Sequence, residues 1–246
     1  MKVRISDTYE DMSEAAAQLV IEQVRRKPDS VLGLAAGSTP LLLYKKLGEA
    51  YKAGVVDFSQ VRTFNLDEYI GLSPEHPQSY HYFMKTHLFD ALDIKPDHIA
   101  IPDGMSDDIA AECARYSAKI EAADGIDLMV LGIGPNAHIG FNGPGHCFVP
   151  ETHVVELSAA TRAANARFFA KPDDTPHWAV SMGIRDIMFA HNILLLASGA
   201  GKTGAVWQAV CGDITPAAPA SILQLHRNAL VLMDKAAAAR LPEKYQ

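Results

Sequence analysis

Cysteine is scarce in this sequence: Cys113, Cys147 and Cys211 are the three in 246 residues. They are widely spaced and odd in number, which excludes a disulfide framework and a CxxC metal site and fits a reducing compartment. Basic tracts are missing too. Lysine and arginine number 22 against 29 aspartates and glutamates, for a net charge of −7, so nucleic acid is not expected as a partner. An anionic ligand would have to meet a local positive site. No run reaches the roughly 18 uninterrupted apolar residues of a membrane span, and the opening MKVRISDTYEDMSEAAAQL has no apolar leader core. A cytoplasmic protein without a membrane partner is expected. Internal repeats, low-complexity tracts and glycine-proline linkers are also absent, so residues 1–246 read as one domain.

The 48% hydrophobic and 21% charged content is that of a folded chain with ample material for a core. Short aliphatic runs alternate with stretches of helical period, which predicts an α/β sheet covered by helices on both faces. Strands are predicted at 3–5, 30–35, 61–66, 99–101, 126–133, 193–197, 221–225 and 229–233. Helices are predicted over 8–26, 40–53, 79–92, 107–123 and 158–170, with another entered from the glycine turn of GAGKTGAVWQAV. The apolar run IDLMVLGI at 126–133 has the character of a central strand buried on both faces. Every notable polar cluster follows a strand, where ligands of open α/β sheets bind.

Three of these loops carry candidate chemistry. Gly37, Ser38 and Thr39 lie between a strand and a helix, where free N–H groups and two hydroxyls suit a phosphate. An ordinary turn capping the helix, with Pro40 in its first turn, is the competing reading. GAGKTG at 199–204 fails the GxxxxGK spacing, which disfavours a nucleoside triphosphatase. Lys202 is then either a monophosphate partner or a solvated lysine. Asp67 and Glu68 follow an apolar strand, where partial desolvation would raise carboxylate basicity, unless both are solvated or capping groups. The loop GIGPNAHIGFNGPG presents Asn136, His138 and Asn142, and His138 is the obvious proton carrier near neutral pH. HExxH, paired histidines and cysteine clusters are missing, so no metal is expected.

The blocks GLAAGSTP, TFNLDEYIGL, HPQSYHYFM, GIGPNAHIGFNGPG, TRAANARFF, SMGIRDIM and GAGKTGAVWQAV, in this order and spacing, resemble the glucosamine-6-phosphate deaminase (NagB) family. The resemblance covers nearly the whole chain and is closer than that to the related 6-phosphogluconolactonases. It implies a Rossmann-like three-layer α/β/α sandwich with a mostly parallel central sheet. It also implies conversion of glucosamine 6-phosphate and water to fructose 6-phosphate and ammonia, with no metal and no cofactor. Carried over by position, it sets the phosphate against Gly37, Ser38 and Thr39, with Arg167 and Lys202 supplying positive charge. Asp67 becomes the base that moves a proton between C2 and C1 through a cis-enolamine. His138, beside Asn136, becomes the group that helps open the pyranose ring by protonating the ring oxygen, and Glu68 and Tyr80 line the site. The segment at about 158–187 resembles a lid that brings Arg167 onto the phosphate.

Two positions depart from the family pattern. Gly143 stands where the pattern has a glutamate that partners the histidine, and Ala137 replaces a glycine. Loss of that carboxylate is expected to slow ring opening by about 10²-fold. Two alternatives stay open: an enzyme for another hexose 6-phosphate, such as galactosamine 6-phosphate or 6-phosphogluconolactone, and a phosphosugar-binding protein with impaired turnover. Monomer and homo-oligomer are both compatible with the sequence.

Overall fold

The aliphatic runs pair in parallel. In the computed structural model, which describes residues 1–166, 169, 171 and 174–245, seven strands form one sheet. They are β1 (Lys2–Ser6), β2 (Val31–Leu34), β3 (Arg62–Asn65), β5 (Ile99–Ala100), β6 (Leu128–Gly132), β9 (Asn192–Ala197) and β10 (Ala229–Asp234), in the order β1-β10-β9-β6-β2-β3-β5. A second, antiparallel sheet has the order β4-β8-β7, with β4 (Asp67–Tyr69), β7 (His153–Glu156) and β8 (Trp178–Ser181).

Period-two alternation gives the large sheet two apolar faces. Leu128 and Val130 of β6 join one core, and Met129 and Leu131 join the other. The first core is covered by α1 (Tyr9–Arg26), α2 (Leu41–Lys52) and α3 (Tyr80–His87), through residues such as Met12, Leu43 and Met84. The second is covered by α4 (Ile109–Ala122), α6 (Ile184–Met188), α7 (Thr203–Cys211) and α8 (Lys235–Ala238), through Tyr116, Ile187, Val206 and Ala237. This is the three-layer α/β/α sandwich with a parallel central sheet. Truncating a fully buried leucine such as Leu195 in such a core costs about 2–5 kcal/mol. Among the described residues, no helix is long and apolar enough to cross a membrane.

Capping residues set the helix starts. Thr8 accepts the Asp11 N–H at 3.1 Å to begin α1, and Ser79 does the same for Tyr82 at 3.0 Å to begin α3. Ser158 accepts the Thr161 N–H ahead of α5 (Ala159–Ala166). The run at 221–225 is not a strand. Pro219–Leu225 winds as a 3₁₀ helix with Ser221 bonded to Thr215, so a short apolar run that periodicity could not discriminate went to the tighter helix.

The chain runs outward from β2 to β3 and β5, then crosses back to β6 on the other side of β2 and continues to β9 and β10. That reversal lies between β2 and β6. Because all seven strands are parallel, the loops after β2, β3, β6 and β9 open on one edge, around this switch point.

Candidate active site

The loop after β2 forms a cradle with open donors. Gly37 has φ +107°, a left-handed conformation that favours glycine, and an added Cβ there would meet no atom within 4 Å. The following hydroxyls of Ser38 and Thr39 make no hydrogen bond within the described protein and line one depression with Lys202 and Ser198. Tyr9 holds this turn in place, donating its hydroxyl proton to the Thr39 carbonyl at 2.9 Å. Pro40 precedes α2 without a side-chain cap bond, so the hydroxyls are not spent on the helix.

On the other wall, Asp234 fixes the loop after β9. Its carboxylate takes the Ser198 hydroxyl at 2.5 Å, the Gly199 N–H at 3.0 Å and the Ala237 N–H at 2.7 Å. Lys202, one turn further on, is half-buried with no carboxylate partner among the described residues, and burial lowers its ammonium from the usual lysine range. A half-buried cation without a counter-ion is poised for an anion.

Asp67 sits where the chain leaves the parallel sheet for the antiparallel one. Leu66 makes the junction: its N–H donates to Leu34 and its carbonyl accepts from Met182. The Asp67 carboxyl is 7% exposed and accepts no hydrogen bond from the described residues. Burial, and then the charge of Glu68, push it up to about 8. Glu68 is different. Its carboxylate accepts the N–H groups of Tyr69, Tyr80 and His81 at 2.7, 2.9 and 2.9 Å and meets the His81 ring at 2.9 Å. It therefore anchors the start of α3, the capping role that its residue type left open, and its oxygens are occupied by the protein, whereas the family resemblance implies a site-lining group.

The loop after β6 brings His138 to the same edge. Its Nδ1 lies 2.7 Å from Asn136 Oδ1; an amide oxygen has no proton to give, so Nδ1 carries the hydrogen and Nε2 is the free lone pair. Burial, and then the Lys202 ammonium, push the imidazole down to about 4, so it is neutral at pH 7. Gly134 makes this ring position possible: a Cβ there would fall 2.0 Å from the His138 ring. The loop is pinned to β8 by Asn142, whose Nδ2 donates to the Ile139 and Met182 carbonyls at 3.0 and 2.8 Å. Gly140, with φ +56°, places its backbone against the base, and a Cβ there would lie 3.4 Å from Asp67 Oδ2.

Gly143 is exposed, and a Cβ there would meet nothing within 4 Å. Ala137 is buried at φ +63°, a strained conformation for a residue with a Cβ. Tyr80 packs on Phe141, with ring centroids 5.9 Å apart, and on Tyr69 at 4.9 Å, giving one side of the crevice an aromatic wall. Arg167 lies outside the described residues. Within the 158–187 segment, β8 is paired with β4 and α6 is packed in the core, so its second half belongs to the framework under Asp67.

The structure thus gathers Asp67, Asn136, His138, Ser38, Thr39 and Lys202 at one edge. Sequence reasoning missed Gly134, Gly140, Asp234 and Ser181, whose hydroxyl oxygen accepts the Phe141 N–H at 3.1 Å. Asp234 had a readable signal, an aspartate closing an apolar strand, the same placement that drew attention to Asp67. The glycines had none, because their role is fixed by side chains distant in space.

The family described as glucosamine-6-phosphate isomerases/6-phosphogluconolactonase matches residues 6–232. The glucosamine-6-phosphate deaminase of Clostridioides difficile is 52% identical, over 100% of this chain and 99% of its own length. That of a Thermoanaerobacter species is 50% identical over 99% and 96%. Among solved structures, a monomeric glucosamine-6-phosphate deaminase described as a missing link of the NagB superfamily superposes with a TM-score of 0.94 at 44% identity, covering 97% of this chain and 99% of that one. The 6-phosphogluconolactonase of Trypanosoma cruzi, at 18% identity and TM-score 0.79 over 98% and 96%, shares the fold.

Proposed function

The chain belongs to the family of glucosamine-6-phosphate isomerases and 6-phosphogluconolactonases, and from that premise we propose that it is a glucosamine-6-phosphate deaminase, releasing fructose 6-phosphate and ammonia. The observation that carries this reading is the presence at one strand edge of a buried carboxyl that accepts no hydrogen bond from the described residues, Asp67, a neutral imidazole, His138, and the anion cradle. The deaminase relatives, near 50% identity along their full length, support the substrate.

Each group has a task. The Ser38 and Thr39 hydroxyls, the loop N–H groups and Lys202 hold the 6-phosphate, with Arg167 joining from the 158–187 segment. Because His138 is neutral, it takes the O1 proton on Nε2 before passing a proton to the ring oxygen, which opens the pyranose. Asn136 keeps Nδ1 protonated and Nε2 available. The Asp67 carboxylate then takes the C2 proton, the C–H electrons form the C1=C2 bond as the C1=O π pair moves onto O1, and O1 takes a proton from the C2 ammonium, giving a cis-enolamine. Return of the proton to C1 leaves an iminium at C2, to which water adds as ammonia departs. The aromatic wall of Tyr69, Tyr80 and Phe141 keeps the carboxyl poorly solvated and therefore basic. Glu68 acts at one remove, holding α3 and Tyr80 in place.

The cytoplasm is the assigned compartment, supported by three unpaired cysteines. The monomeric deaminase of closely similar structure makes a monomer as admissible as a homo-oligomer.

The test is incubation with glucosamine 6-phosphate and measurement of ammonia and fructose 6-phosphate. The expected result is turnover that Asp67→Asn abolishes; no product above that variant's rate would overturn the assignment. Gly143 favours one second reading, a phosphosugar binder with little turnover, because it has no side chain where the family pattern supplies a glutamate to partner the histidine. Calorimetric binding without product would select it. A panel with galactosamine 6-phosphate and 6-phosphogluconolactone, ranked by kcat/KM, fixes the preferred substrate.

A further inference from the structure

Ser181 stands directly opposite the base. In the antiparallel pairing of β4 with β8, Asp67 is the partner of Ser181, and partners in such a pair send their side chains to one face of the sheet, with Cβ atoms about 4.5–5.5 Å apart. Ser181 is 0% exposed, so its hydroxyl acts inside the protein. It meets the loop that carries His138. Its oxygen accepts the Phe141 N–H at 3.1 Å and the Asn142 Nδ2 at 3.4 Å, and its own proton points to the Met182 carbonyl at 3.4 Å.

Gly140 is held against both. A Cβ there would fall 3.2 Å from Ser181 Oγ and 3.4 Å from Asp67 Oδ2, so the hydroxyl and the carboxyl reach the same side of this one residue. Even a methyl group would be tight in that space. Phe141, the next residue, gives its N–H to Ser181 and its ring to the aromatic wall, with centroids 5.5 Å from Tyr69 and 5.9 Å from Tyr80. One hydroxyl therefore fastens the chain at the point where the His138 loop, the base and the wall meet.

We propose that Ser181 is a positioning residue for both reacting groups: by clamping Phe141 to the strand opposite Asp67, its hydroxyl keeps Gly140 against the base, closes that side of the carboxyl to water and sets where the His138 loop stands. Removing the hydroxyl takes the acceptor from the Phe141 N–H and lets the loop relax outward. Water then reaches the base, which lowers its proton affinity toward that of an ordinary carboxylate. The spacing of base and imidazole loosens as well, and a misplacement of about 1 Å in such a site costs up to about 10²-fold in rate. The titratable groups that act on Asp67 are Glu68 and Tyr69 on its own strand, Tyr44 from α2, Tyr80 from α3 and Tyr116 from α4, and a change at Ser181 replaces none of them.

The inference rests on Asp67 as the base and is tested in the full chain with Ser181→Ala, and with Ser181→Thr as the variant that keeps a hydroxyl. For glucosamine 6-phosphate, kcat is expected to fall about 10- to 100-fold in Ser181→Ala, with KM held because the anion cradle lies on other loops. The acid limb of kcat/KM is expected to move down from about 8 by about one pH unit, and Ser181→Thr to restore most of both. A ¹³C NMR titration of the Asp67 carboxyl, assigned by its disappearance in Asp67→Asn, reads the same downward shift without turnover. The two readings therefore fail separately: absence of product ends the deaminase assignment, and an unmoved carboxyl titration ends the clamp. A role in folding alone would lower the melting temperature and leave limb and titration in place; that result, or an unchanged kcat, would overturn the proposal. If Ser181→Ala does not fold, Ser181→Cys, close in size and only a weak acceptor, is decided by the same titration.

Discussion

The two faces of β4 carry adjacent carboxylates with opposite environments. Both Asp67 and Glu68 are buried, yet Glu68 is surrounded by three backbone N–H groups and an imidazole while Asp67 accepts nothing from the described residues. Strand geometry sends consecutive side chains to opposite sides. One side meets the donor-rich start of α3; the other meets a crevice walled by aromatic rings. Burial alone does not make a carboxyl reactive. What distinguishes the base is burial without hydrogen-bond donors among the described residues, which raises its proton affinity and leaves its lone pairs for substrate.

The largest expected break in this comparison is Asp67→Asn, which should lower kcat by about 10³–10⁴-fold with the fold intact. Its stability should move the other way. Asp67 releases its proton at about 8 in the native state and at about 3.9 when unfolded. Between those pH values the native protein holds a proton that the unfolded chain has lost, so stability falls as pH rises through the window. The asparagine variant lacks this penalty and should melt about 2 °C or more above the parent beyond pH 8 in calorimetry. Next comes Glu68→Ala, which leaves three buried N–H groups unpaired; a loss of about 3–5 kcal/mol in denaturant unfolding is expected, with activity per folded molecule affected far less than by Asp67→Asn.

Much of the framework was legible in the sequence because it rests on local rules. The parallel strands appear as aliphatic runs, and polar loops follow the carboxyl ends of β2, β3, β6 and β9. Ser79 and Ser158 were readable as helix starts. The second sheet was not: β4, β7 and β8 are three or four residues long with mixed polarity, and pairing with one another defines them. The difference between Asp67 and Glu68 was equally hidden. Adjacent acids look alike until α3 arrives from 12 residues away to occupy one of them. The neutrality of His138 was half visible. Loss of the carboxylate at Gly143 pointed to a less basic imidazole, but the contribution of Lys202 comes from the loop after β9.

A smaller effect sharpens the comparison by adding a third carboxylate. Gly143→Glu has open space, and an acid beside the imidazole raises its basicity and fixes its orientation. An increase in kcat of about 10- to 100-fold is expected, with His138 titrating at higher pH by NMR. Smaller still is Ala137→Gly. Relief of left-handed strain, about 1–2 kcal/mol, is opposed by the lost buried methyl, about 0.8 kcal/mol, and by the greater freedom of unfolded glycine, about 0.5–1 kcal/mol. Unfolding free energy should therefore change by less than about 1 kcal/mol.

The most direct check on Asp67 as a buried, donor-poor base is kcat/KM for glucosamine 6-phosphate across pH 5 to 10. A rising limb near pH 8 that vanishes in Asp67→Asn together with turnover is the expected result. A limb in the ordinary carboxylate range near pH 4, or undiminished activity in that variant, would contradict it.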